Sequence, residues 1–310
     1  MNLYRMSFQA MASDNEVQVY APDAVVAERV TQAAIAEVRR IEAKYSRYLP
    51  DSIVSRINRA AGRDAVRLDE ETAGLCGYAA SCFESSGGRF DITSGVLRRA
   101  WNFREAIVPS GATLAPLLSL IGWDKVRWSK TEIFLPREGM EIDFGGIGKE
   151  YAADRAAGVC LAEGVHHGLI NLGGDIRVIG PHPDGRRWSI GIRHPRRDDT
   201  TIASIEISEG GLATSGDYER YFERNGVRYC HILDPRSGMP VRYWQSVSVI
   251  APVCIAAGSY STIAMLLGKR ARRFLDAEER PFLLIGPDGA LSGPLAANRA
   301  VNVVKADTRG

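Results

Sequence analysis

The chain has 310 residues, 45% of them hydrophobic, enough for one large domain or two small ones with a sizeable core. Its net charge is +2, with arginine and lysine spread along the chain and no basic stripe, so no nucleic acid is expected as a partner. The longest apolar runs, such as residues 247–257, are too short to cross a bilayer and that one contains Pro252, so no transmembrane segment is expected.

In chain order, residues 16–20 alternate like a strand after an irregular stretch at 8–15. Residues 24–45 carry alanine, valine, isoleucine and charge at helical spacing, and read as a long amphipathic helix. A short helix is expected over 52–60, a third over 70–86 ended by Gly87-Gly88, and another over 94–101. Residues 132–135 and 140–144 resemble strands, 148–161 a helix, and 167–171 a strand followed by the turn Gly173-Gly174. Strands dominate from 175 to 249. Helices are expected over 259–267 and around 270–278, and short strands at 282–285 and 301–304. No repeat, low-complexity tract or linker interrupts this order. The irregular alternation favours one α+β domain over a doubly wound sheet.

The amino terminus MNLYRMSFQAMASD has no apolar segment after basic residues, so the chain as given reads as cytoplasmic. A mature chain that had lost a presequence would look the same and belong to the periplasm. Five scattered cysteines without a CxxC argue for a reducing compartment and against a disulfide framework or a zinc site.

Function is written most densely between residues 213 and 240, ATSGDYERYFERNGVRYCHILDPRSGMP. A small-residue turn (Thr214, Ser215, Gly216), one histidine (His231) and two carboxylates (Asp217, Asp234) surround a hairpin. Its arms are 218–224 and 227–233, joined by Asn225-Gly226, the dipeptide favoured in tight hairpin turns. A short hairpin brings its ends together, so hydroxyls, an imidazole and carboxylates share one small volume. A polar hairpin with a satisfied histidine is the plainer alternative. Tyr48 lies in a loop after a helix, where it either caps a core or stacks on a ring. Asp91 stands between apolar neighbours, where a carboxylate needs partners. DFGGIGKEYAAD (143–154) runs from a strand through glycines into a helix, a junction that suits an anion, with Lys149 adding charge; its glycine spacing is not that of a Walker A loop. NLGGDI (171–176) is a second glycine turn where backbone can approach a ligand. CIAAGSYST (254–262) opens a helix with small residues, leaving N–H groups free for an oxygen-rich ligand.

The segments FDITSG, DFGGIGKEYAADRA, NLGGDI, TSGDYERYF and HILDPRSGMPV, in this order, resemble the ApbE-type FAD:protein FMN transferases. The resemblance runs from Phe8 to Gly268. It implies a single α+β domain of mixed, largely antiparallel sheets flanked by helices (T-fold-like) with a FAD-filled pocket. It implies magnesium-dependent transfer of FMN from FAD to a threonine or serine hydroxyl of an acceptor flavoprotein, with release of AMP. Carried over by position, Met11 would contact the flavin and Tyr48 stack on a ring of FAD. Phe90, Asp91 and the backbone of Arg89 would line the nucleotide pocket, while Asp143 and Lys149 hold FAD. The Gly173-Gly174-Asp175 and Ser215-Gly216-Asp217 turns would shape the pyrophosphate and flavin pocket. His231 would be the base that takes the proton from the attacking hydroxyl, with Ile232 against the flavin. Asp234 either orients the imidazole or caps the PRSG turn. The carbonyl of Gly146 and the hydroxyl of Thr262 would ligate the cation.

One departure stands out. The family's usual Ala-Asp supplies a carboxylate ligand four residues ahead of the threonine, and Gly258 occupies that place here. The metal must then use another carboxylate, for which Asp217 and Asp234 are the candidates, or lean on the FAD phosphates. Two other activities fit the same residues. A FAD pyrophosphatase would pass FMN to water, and a non-catalytic FAD-binding protein would keep the pocket without turnover.

Overall fold

Every ladder among the described residues is antiparallel. The computed structural model describes residues 1–297, so the strand expected at 301–304 lies outside them. An eight-stranded sheet runs in the order Asn2–Ala10, Ser13–Ala21, Gly168–Leu172, Asp175–Gly180, Gly210–Gly216, Ser246–Ala251, Phe282–Ile285 and Leu291–Ser292. Strand residues point alternately to opposite faces, and both faces are covered. Ile170 and Leu172 face a large core with Val17, Val19, Val247 and Val249. Leu169, Ile176, Val178, Leu212 and Leu283 face a second core closed by the hairpin Trp188–Arg193 and Thr201–Ile207.

The large core is roofed by helices Ala24–Tyr45, Gly148–Ala162 and Cys254–Leu267. The first buries Val30, Ala34, Val38, Ile41 and Tyr45, one stripe at helical spacing, and Asp23 caps its start. The second buries Ala152, Ala153, Ala156 and Ala157, small side chains that let neighbouring helices come close. A third apolar cluster of Val96, Leu97, Trp101, Leu114, Ile121 and Phe222 anchors the functional hairpin to the body.

The α+β reading and most helices agree with this structure, and four local expectations do not. The irregular stretch at 8–15 is the tip of a hairpin, whose turn Met11-Ala12 takes positive φ at both residues. Residues 140–144 pair in no ladder. Helix Gly111–Leu120, with Pro116 inside it, went unread because a proline in a short apolar run reads as loop. The last long helix begins at Cys254, five residues before the expected start.

Candidate active site

One end of the large sheet gathers the turns that carry the chemistry. Met11-Ala12 joins the first two strands there, and Gly173-Gly174 joins the third and fourth. The strand Gly210–Gly216 ends there, paired through Ser215 and Gly216 with Val247 and Ser246. Thr214, Ser215 and Gly216 therefore form the end of a strand, in place of the expected turn; the small residues serve close packing, since a Cβ on Gly216 would lie 2.4 Å from the Tyr218 ring.

The glycine-rich run ends where helix Gly148–Ala162 begins, and no side chain caps this helix start. The Lys149 ammonium lies 2.8 Å from an Asp175 carboxylate oxygen. Burial disfavours its charge, yet Asp175 and Glu150 hold the lysine above its ordinary range. The Met11 side chain packs toward Gly148, and its backbone N–H donates to Glu42 at 2.6 Å. Phe90 is buried and its ring touches Gly146. Asp143 accepts from the Gly145 N–H at 3.0 Å and pairs with Arg47. That same Arg47 guanidinium lies 5.0 Å from the centre of the Tyr48 ring. Tyr48 itself is 72% exposed, which excludes the core-capping alternative and leaves the ring accessible beside Arg47.

The hairpin forms as its sequence dictates. Tyr221–Arg224 pairs with Val227–Cys230, and Asn225 and Gly226 both take positive φ. Beyond its arms, the His231 N–H donates to the Arg220 carbonyl at 2.9 Å, so residues 220 and 231 do lie side by side. The His231 imidazole has an open face but is crowded by protein around it. That desolvation, with the charges of Arg220 and Lys149, pushes its pKa down to about 4, so it is neutral at physiological pH. Ile232 beside it is buried.

The carboxylates divide into structural and available ones. Asp91 accepts from the Thr93 N–H, the Thr93 hydroxyl and the Trp123 N–H, which makes it the cap of the 3-10 helix Ile92–Arg99. Asp217 receives a two-pronged contact from Arg196 at 2.6 and 2.7 Å, with Arg228 at 3.6 Å. Asp234 caps the PRSG turn through the Arg236 N–H and pairs with Arg89, which resolves its two alternatives in favour of the turn. The N–H groups at the start of helix Cys254–Leu267, expected to be free, are capped by Asp154, which accepts from Cys254 and Ile255 at 2.8 and 2.9 Å.

Glu150 differs from all of these. It lies one residue after Lys149 and is 7% exposed, and its Oε2 has no hydrogen-bond partner. Burial raises its pKa well above the usual carboxylate range, and the Asp175 charge adds to this. Lys149 pairs directly with Asp175 and eases the Glu150 charge only through space, so Glu150 carries the larger cost. Its carboxylate fills the space beside Gly258, where a Cβ would lie 2.4 Å from Oε1. Gly258 itself sits inside a helix without a positive φ. One turn further along that helix, Thr262 shares a hydrogen bond of 3.0 Å with Ser215. The sequence signal for Glu150 was present: it falls on the same helical stripe as the buried Ala153 and Ala157.

The ApbE family model matches residues 11–283. The chain belongs to the ApbE family. A relative from Klebsiella pneumoniae, named FAD:protein FMN transferase, is 33% identical, with 94% of this chain and 95% of the relative aligned. One of the same name from Vibrio cholerae is 29% identical over 80% of this chain and 76% of its own length. Among solved structures, the ApbE protein of Thermotoga maritima superposes with a TM-score of 0.87 at 33% identity, covering 94% of this chain and 97% of that one. The Vibrio cholerae flavin transferase ApbE gives 0.84 at 25% identity, covering 94% and 96%.

Proposed function

We propose that this ApbE-family chain is a FAD:protein FMN transferase, moving FMN from FAD to a threonine or serine hydroxyl of an acceptor flavoprotein. The observation that carries the reading is an exposed imidazole at His231 whose proton affinity is lowered by crowding and by the charges of Arg220 and Lys149, together with the uncapped start of the helix that bears Lys149. A helix N-terminus with free N–H groups and an adjacent ammonium suits pyrophosphate oxygens. Tyr48 offers an accessible aromatic ring for a ring of the nucleotide.

His231 accepts the proton of the acceptor hydroxyl as its oxygen bonds to the FMN phosphorus. The bond from that phosphorus to the bridging oxygen breaks, and AMP leaves with the electron pair. Phosphoryl chemistry of this kind demands charge neutralisation and alignment more than covalent help from the protein. Lys149 supplies one positive charge. On this reading the Gly146 carbonyl and the Thr262 hydroxyl would be the further oxygen donors for a cation.

The residues present fit a hard cation. The donors are all oxygen, and one buried carboxylate oxygen, Glu150 Oε2, lacks a partner. Magnesium in such a site is completed by substrate phosphates and water, and when bound it neutralises charge on the pyrophosphate.

Incubation with FAD, magnesium and an acceptor domain tests the reading. AMP formation that requires the acceptor is expected; AMP formed equally without it would identify a FAD pyrophosphatase, and no AMP a binding protein.

A further inference from the structure

We infer that Glu150 supplies the carboxylate ligand of the divalent cation, reaching from the neighbouring helix into the place that a side chain at 258 would otherwise fill. This rests on the FAD-dependent reading above. Three observations carry it. The Oε1, Cδ and Cγ atoms of Glu150 lie 2.4, 2.8 and 2.5 Å from the position of a Cβ on residue 258. The carboxylate therefore stands where a carboxylate borne by residue 258 would begin. Thr262 follows 258 by four residues in one helix, which places both on the same face. Finally, Glu150 is buried and its Oε2 is unpartnered, whereas native proteins rarely leave a buried carboxylate oxygen without a proton donor or a cation.

The neighbours do not satisfy it. Lys149 is committed to Asp175, and Asp154 is committed to the Cys254 and Ile255 N–H groups, with Arg177 at 3.3 Å. Asp217 and Asp234, the two carboxylates favoured from sequence, are held by Arg196 and Arg89. Glu150 and Gly258 thus form a complementary pair: the carboxylate comes from the helix after the glycine run, and the bare glycine at 258 leaves room for it.

The test is a Mn2+ titration of the full chain followed by electron paramagnetic resonance, with and without FAD, on the parent, Glu150→Gln and the exchange variant Glu150→Gly/Gly258→Asp. Glutamine keeps the shape and removes the charge, so Glu150→Gln should fold and bind FAD without metal as the parent does. Its Mn2+ affinity should fall by at least about 10-fold, the low end of what ligand-supporting contacts are worth. The exchange variant should recover affinity. Parental Mn2+ affinity in a folded Glu150→Gln protein overturns the inference. Flavin fluorescence reports FAD binding separately: a parent that binds Mn2+ through Glu150 but no FAD would overturn the transfer reading and leave the ligand assignment standing.

Discussion

Gly258→Ala should be neutral to destabilising in the parent and stabilising once Glu150 is shortened. In an ordinary helix interior, glycine to alanine gains about 1 kcal/mol. Here the new methyl would lie 2.4 Å from Glu150 Oε1 and 2.5 Å from its Cγ, well inside contact distance. The Glu150 stem must move as well as its tip, in a buried setting. Overpacking of this kind costs about 1–3 kcal/mol, so the single variant should range from neutral to about 2 kcal/mol less stable. In a Glu150→Ala background the obstruction is gone and the gain of about 1 kcal/mol should emerge. The double-mutant cycle should therefore show a coupling of about 1–3 kcal/mol. Urea unfolding in EDTA, followed by far-UV circular dichroism, measures all four proteins without metal. A gain of about 1 kcal/mol in both backgrounds would mean that Glu150 does not occupy the space beside residue 258.

Further outcomes are expected. His231→Asn should leave FAD affinity nearly intact and slow FMN transfer by about 100-fold or more, the scale of losing a general base; transfer at the parental rate would place the base elsewhere. Because protein crowding and nearby positive charge hold free His231 at about 4, the acid limb of kcat/KM should fall near that pH, well below the 6.5 of an ordinary imidazole; a limb at 6.5 would show a histidine freely solvated. Tyr48→Ala should weaken FAD binding by about 0.5–1.5 kcal/mol in a fluorescence titration, the worth of a stacked aromatic pair. Asp154→Ala removes the cap of helix Cys254–Leu267 and should cost about 1–2 kcal/mol of stability by thermal melting.

Much of this was legible in the residues because the relevant signals are local. The stripe from Val30 to Tyr45, the Asn225-Gly226 turn and the glycine run before Lys149 each dictate their own geometry. The carboxylates were less legible because their roles depend on distant partners. Nothing near Asp217 in the chain announces Arg196, and nothing near Asp143 announces Arg47. Gly258 illustrates the same point: read alone it is a lost ligand, while in the fold it is a helical residue with Glu150 beside it, and aspartate there would meet that side chain. The hairpin tip at Met11-Ala12 escaped detection because both residues adopt positive φ without glycine, against the usual turn chemistry.

The central claim is that FMN passes intact from FAD to a hydroxyl on another protein. Intact-mass analysis of a candidate acceptor flavoprotein, incubated with this chain, FAD and magnesium, tests it most directly. The account predicts a single covalent FMN on the acceptor and one AMP released per acceptor modified, both lost when the acceptor's threonine or serine is replaced by alanine or when His231→Asn is used. FAD consumed to FMN and AMP, with the acceptor mass unchanged across acceptors that ApbE-family relatives do modify, would contradict it.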